Sequence, residues 1–256
     1  SRAERWYLPG KRRHCDTDEM CRAFGITVGG GLHTALEKTT KTKAAAMLGA
    51  AAHVGVLRAG IRGGMTRAGI TPETGDVVVM ADLCSGVGTV AEAMEQETKG
   101  RWRYARAAEK EKEREDVLLD AWGVRGLTEE KVQKDAYDVD ALDAAPECDV
   151  LAMTPECGPY SRQSMTNLSE AKTETKKVAT MMRYAARVRP AVVIMESVAD
   201  LLTSTRMRPC GEEIEQHLRE ALPDYEWRKQ VVDPARHIGV PMSRERAFWV
   251  GTRPVQ

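Results

Sequence analysis

Two hydropathy rhythms alternate along the chain. Val77-Val78-Val79-Met80-Ala81-Asp82-Leu83 is apolar on both faces, the pattern of a parallel strand covered by helices on each side. Further strand-like segments fall at Arg103–Ala108, Lys131–Ala136, Cys148–Met153, Ala191–Met195, Trp227–Val232 and Ala247–Gly251. Helical patterns separate them: one from Val90, a charged one after Glu109, a basic amphipathic one over Lys177–Arg189 and another amphipathic one over Glu212–Leu222. This β-α-β rhythm predicts an α/β fold, a doubly wound and mostly parallel sheet of Rossmann-like type.

Residues 1–75 precede the first confident strand. Asp16 or Thr17 caps a short predicted helix, Glu19 falls in its first turn and Gly25 closes it. After Gly29-Gly30-Gly31, the alanine-rich stretch Lys43–Ile61 predicts one apolar helix packed on the sheet, with His53 as a core-edge residue. The polar stretch Arg162–Lys176 lacks an apolar period and reads as a surface loop, a candidate lid.

The chain has 256 residues, with 38 basic and 38 acidic side chains, so its charge neither announces nor excludes a nucleic-acid partner. No uninterrupted apolar run approaches membrane-spanning length, and no signal peptide precedes the first strand, so no membrane association is expected. A start at Ser1 fits an excised or processed piece. Cys15, Cys21, Cys84, Cys148, Cys157 and Cys210 show no paired C-x-x-C spacing, which argues against zinc or a disulfide framework and for a reducing setting.

Candidate chemistry gathers where predicted strands end. Cys84-Ser85-Gly86-Val87-Gly88-Thr89 follows the first strand and opens a helix, a turn in which backbone can approach a ligand; Asp82 just before it favours a nucleotide-like one. Glu109 ends the second strand, where a carboxylate can hold ribose hydroxyls or simply be solvated. Cys157 lies in a Pro/Gly-rich turn after Met153, placed like a nucleophile, although a lone cysteine is more often an apolar filler. Glu196 ends a later strand on the same rim, and Arg244 and Arg246 flank another strand's start.

Together these segments resemble the cytosine-C5 methyltransferases. Asp82-Leu83-Cys84-Ser85-Gly86-Val87-Gly88 is similar to the family's D-L-F-x-G-x-G loop, and Cys157-Gly158-Pro159-Tyr160-Ser161 to its P-C-Q-P-F-S segment. Glu196-Ser197-Val198 resembles E-N-V, and Gly239 through Arg246 resembles G-V-P-Q-x-R-x-R. Glu156, Gly158, Met242 and Ala50 stand where the family has Pro, Gln, Gln and Asn. Arg13 through Gly25 and Met47 through Val56 resemble two helices that the family carries late, so the order reads as circularly permuted. The resemblance implies a single catalytic domain over 1–256, with the permuted late helices in 1–75 packing on a cofactor-binding and catalytic core in 76–256. It leaves no room for the family's separate target-recognition domain, expected to be cut off, absent or supplied by a partner chain.

What the resemblance implies about chemistry is specific. S-adenosylmethionine is the implied cofactor, held by Asp82, Leu83, Cys84, Ser85, Gly86, Gly88, Thr89, Glu109, Lys110, Asp135, Ala136 and Pro155, with no metal. Cys157, Glu196, Arg244 and Arg246 are the implied catalytic set. The substrate is a flipped cytosine in nucleic acid, DNA ahead of RNA; a non-catalytic cofactor-binding relative is the alternative. An intracellular location follows, nuclear if the chain is eukaryotic and cytoplasmic if it is bacterial or viral.

Overall fold

A short antiparallel ribbon, β1 (Tyr7–Leu8) with β2 (Arg13–His14), leads into four helices, α1 (Thr17–Phe24), α2 (Gly31–Glu37), α3 (Lys41–Ala50) and α4 (Val54–Arg67). The doubly wound unit follows: β3 (Val78–Leu83), α5 (Thr89–Thr98), β4 (Trp102–Ala108), α6 (Lys112–Trp122), β5 (Val132–Gln133) and β6 (Val150–Met153). Next come α7 (Leu168–Val188), β7 (Val192–Val198), α8 (Asp200–Thr203), α9 (Arg208–Ala221), β8 (Glu226–Val232), α10 (Pro234–Ile238) and β9 (Arg246–Thr252). The structure is a computed structural model describing residues 7–8, 11–72, 77–138, 146–160, 168–240 and 242–254. Ser161, residues 162–167 and Pro241 therefore lie outside the described residues.

The seven strands lie in the order β5-β4-β3-β6-β7-β9-β8. Strands β3 to β7 pair in parallel, whereas β9 runs antiparallel to both neighbours, β7 and β8. The chain moves outward from β3 to β5 and then restarts on the other side at β6, so the switch point lies between β3 and β6. Ligands of such sheets bind outside the strand ends at that crevice.

Each face of the sheet buries its own core. Val78, Met80, Trp102, Tyr104 and Ile194 pack with Leu48, Leu57 and Ile61 of α3 and α4 and with Val90 and Leu118 of α5 and α6. On the other face Leu83, Leu151, Met153, Val193 and Trp249 meet Val178, Met181 and Tyr184 of α7 and Ile214 and Leu218 of α9. The first four helices thus belong to the same packed body as the sheet.

Several expected boundaries are corrected. The single helix over Lys43–Ile61 is two helices, because His53 takes extended backbone and its ring accepts the Gly55 N–H as the N-cap of α4. The segment Lys41–Arg67 does have the length and hydropathy of a membrane span, contrary to the sequence reading. That break divides it, and Leu48, Leu57, Ile61 and Met65 are buried in the sheet's core. The strand over Lys131–Ala136 shrinks to Val132–Gln133. The expected loop Arg162–Lys176 is helical from Leu168 onward: Glu174 and Thr175 are buried by pairing with Tyr137, Lys177 and Tyr160 rather than by hydrophobicity.

Candidate functional site

Strand β3 ends in a tight turn. Cys84, Gly86 and Gly88 all have positive φ, at 65°, 58° and 85°. Gly88 is required twice over, since a Cβ there would lie 2.5 Å from Trp122 Nε1 and 2.8 Å from Leu118 Cδ1. Gly86 instead faces open space, with nothing within 4 Å of a Cβ position, and lets a ligand reach the backbone. No side chain caps the N-terminus of α5 beside it, which leaves main-chain donors for an electron-rich group.

Most of the residues expected to hold a cofactor lie on this turn or just beyond the ends of β4, β5 and β6. The Glu109 carboxylate is buried and accepts the Gly86 N–H at 2.8 Å and the Glu111 N–H at 2.8 Å, which locks the ends of β3 and β4 together. Thr154, just after β6, donates its hydroxyl to the Cys84 carbonyl at 2.8 Å, next to buried Pro155. Lys110 pairs with Glu156 at 2.9 Å across the rim. Asp135 and Ala136 follow β5, and the Asp135 carboxylate accepts the Tyr137 N–H at 2.9 Å. Ser85 and Thr89 are buried within the turn, and Leu83 is turned into the core beneath α7.

Asp82 is the least satisfied group in this region. It is fully buried, and neither carboxylate oxygen has a hydrogen-bond partner among the described residues. Burial, reinforced by the like charge of Glu109 and partly opposed by the neighbouring Ser85 hydroxyl, pushes its carboxyl up to about 7.

The expected catalytic residues meet on the adjoining stretch of rim. Cys157 is part-buried in the loop after β6. Glu196 lies in β7 opposite Phe248 of β9, and Arg246 Nε pairs with its carboxylate at 2.8 Å. Burial pushes the Cys157 thiol up; the charge of Glu196 adds to this, while Arg246 and Arg244 oppose it. Burial likewise raises Glu196, and the two arginines pull it back. One cluster therefore holds a thiol, a carboxyl able to carry a proton, and two fixed cations.

The sequence reading missed what aims Arg244. Asp233, buried at the end of β8, accepts the Arg244 N–H at 3.2 Å, the Ala235 N–H at 3.1 Å and the Ser243 hydroxyl at 3.0 Å. The Asp-Pro pair at 233–234, a helix-start signal, was available to find it. Arg244 also donates to the Gly49 carbonyl at 2.8 Å, so the end of α3 reaches the same cluster.

Over residues 78–256 the sequence matches the family described as C-5 cytosine-specific DNA methylase. The chain belongs to this family. Among curated proteins no sequence matches it. Of the solved structures, the Dnmt2 methyltransferase of S. pombe is similar at 18% identity, covering 70% of this chain and 50% of that one, with a TM-score of 0.48. A Spodoptera frugiperda DNMT2 mutant is similar at 16%, over 69% and 50%, with a TM-score of 0.49. A putative DNA modification methyltransferase encoded within a prophage of E. coli gives 16%, 69%, 47% and 0.45. This C-5 cytosine methylase chain spans about half the length of those structures.

Proposed function

We propose that this chain is the catalytic domain of an enzyme that transfers a methyl group from S-adenosylmethionine to carbon 5 of cytosine in DNA, through a covalent cysteine adduct. The observation that carries the reading is the cluster of Cys157, Glu196, Arg244 and Arg246 beside the glycine turn of β3. The turn's residues fit the cofactor. Gly86 leaves room for close approach, Glu109 keeps spare lone pairs for ribose hydroxyls, and orphaned Asp82 lies where a cation would relieve it. When bound, S-adenosylmethionine supplies an electrophilic methyl.

The chain's own residues do the rest. Carbon 5 of cytosine is a poor nucleophile, so the Cys157 thiolate adds to carbon 6 and pushes the ring's electrons toward N3 and carbon 5. Glu196, its proton affinity raised by burial, shares a proton with N3 and neutralises the charge arriving there. Arg246 orients that carboxyl, and the positive charge of Arg244 and Arg246 offsets part of the burial that holds Cys157 as a thiol. After carbon 5 takes the methyl it loses its proton to solvent; the carbon–sulfur bond then breaks and returns the thiolate. A base inside a duplex cannot reach this rim, so flipping is part of the reading.

The fold supports the permuted arrangement in which helices α1 to α4 fill the place of the family's late helices. The contact of Arg244 with Gly49 and the packing of α4 on the sheet favour it. A recognition domain would then lie outside these residues or on a partner chain.

The test is covalent trapping with S-adenosylmethionine and oligonucleotides carrying 5-fluorocytosine, whose fluorine cannot leave as a proton does. A denaturation-resistant adduct on DNA, lost in Cys157→Ala, is expected. An adduct on RNA alone would move the substrate class. No adduct on either, with cofactor still binding to a chain that includes its recognition domain, would make this a non-catalytic relative.

A further inference from the structure

Helix α7 carries a feature that the reaction does not use. Lys172, Lys176, Arg183 and Arg187 are all exposed, at spacings of four, seven and four residues. At about 100° per residue these positions fall within roughly 60° of one another, a single stripe about 22 Å long. Exposed Ser169 and part-buried Ala179, Thr180 and Ala186 flank it with small side chains. The acidic residues of the helix lie elsewhere: Glu174 is buried against Tyr137 and Lys177, and Glu170 is on another side.

The stripe differs from other like-sign pairs of this protein in how its charges are matched. Elsewhere such pairs have counter-charges: Arg58 and Arg62 share Glu97 at 2.9 and 2.8 Å, and Asp116 and Asp120 pair with Lys112 at 2.9 Å and Lys38 at 2.7 Å. On α7, Lys172 with Lys176 and Arg183 with Arg187 repeat one sign at i,i+4, which weakens a helix. Among the described residues, Lys172, Lys176 and Arg183 have no acidic partner. The chain as a whole has zero formal charge, so this is segregation rather than excess.

We infer that the outer face of α7 is a track for the phosphate backbone of duplex DNA. The helix starts on the rim beside the Gly158–Tyr160 turn that follows Cys157, so a duplex on it is continuous with the candidate active site. A straight row of cations suits a rigid polyanion, and long cationic side chains between small neighbours can meet phosphates without base contacts. A lipid surface is the poorer occupant, because the apolar face of this helix (Val178, Met181, Met182, Tyr184) is buried in the core. The inference deepens the DNA reading above and rests on it.

The test measures binding of the full chain to a fluorescent 24-base-pair duplex over a salt series, comparing the natural chain with K172Q/K176Q/R183Q/R187Q. The variant is expected to bind at least tenfold more weakly at 100 mM salt. The slope of log K against log salt should shrink by about 3.6, at about 0.9 for each of the four phosphates no longer neutralised. Lys38→Gln with Lys43→Gln, on the opposite face, should change neither. An unchanged slope in a variant with a natural circular dichroism spectrum and melting temperature overturns the inference, as does a loss confined to single-stranded RNA or to phosphatidylserine vesicles. Trapping on a short single-stranded 5-fluorocytosine DNA keeps the two readings apart. If the variant still forms the adduct, the site is intact and only the track has been lost; if the natural chain forms none even with its recognition domain present, the catalytic reading itself fails.

Discussion

Replacing Asp82 by Asn should make the cofactor-free protein more stable at pH 8 and remove part of its pH dependence. The carboxyl is fully buried without a partner and is pushed up to about 7, against about 3.9 in an unfolded chain. Because the folded value is the higher one, the folded state binds the proton more tightly. Its contribution to stability is therefore present below about pH 4 and is lost as pH rises through about 7. Linkage puts that loss at roughly 4 kcal/mol in total, of which more than half falls between pH 5 and pH 8. Asparagine keeps the shape but leaves a buried amide whose unmet hydrogen bonds cost about 1–3 kcal/mol. The net gain at pH 8 is then about 1–3 kcal/mol. Urea unfolding of both proteins at pH 5, 6, 7 and 8 reads it, and the difference between the two curves removes the other titrating groups. If the two stabilities run parallel across that range, Asp82 is not a proton-binding group and the argument from its burial is wrong. The same substitution should weaken cofactor binding, since the charge that burdens the empty fold is the one a bound cation would use.

Three other outcomes follow from the geometry. Glu196→Gln should lower kcat by about 10²–10⁴ while the cysteine adduct still forms slowly. With the natural residue, the rate should rise with pH as the Cys157 thiolate forms and level off once Glu196 loses its proton, whereas in the variant it should keep rising toward the raised thiol value. Gly88→Ala should destabilise by about 2–4 kcal/mol in thermal or urea unfolding, because φ of 85° and approaches of 2.5 and 2.8 Å leave a methyl no room. Lys110→Ala should change stability by less than about 1 kcal/mol in urea unfolding despite its 2.9 Å pair with Glu156, since both side chains are well exposed.

The parts of the fold visible in the sequence were those in which burial is written in apolar residues. Strand β3 is buried along nearly its whole length and reads so, as does β7 apart from Glu196 and Ser197. The turn after β3 was legible because its glycines answer to backbone angle and close packing. The start of α7 was not, because its inner face uses Thr175, bonded to the Ala171 carbonyl at 2.9 Å and to Tyr160 at 3.2 Å, and the paired Glu174. Hydropathy scores such residues as surface. The break before α4 was hidden for a related reason, since a histidine cap inside an alanine-rich run carries no usual start signal. Nor could strand patterns reveal that β9 inserts antiparallel between β7 and β8, since the choice is made by pairings distant in sequence.

The hydrogen bond from Arg244 to the Gly49 carbonyl spans 195 residues. Synthesis at 5–20 residues per second separates the two partners by about 10–40 s. During that interval α3 and α4, the most membrane-like stretch among the described residues, still await β7 and β9, the late strands on which α4 packs. The most apolar stretch among the described residues is thus made well before the last strands that cover it, so the order of synthesis leaves it exposed longest.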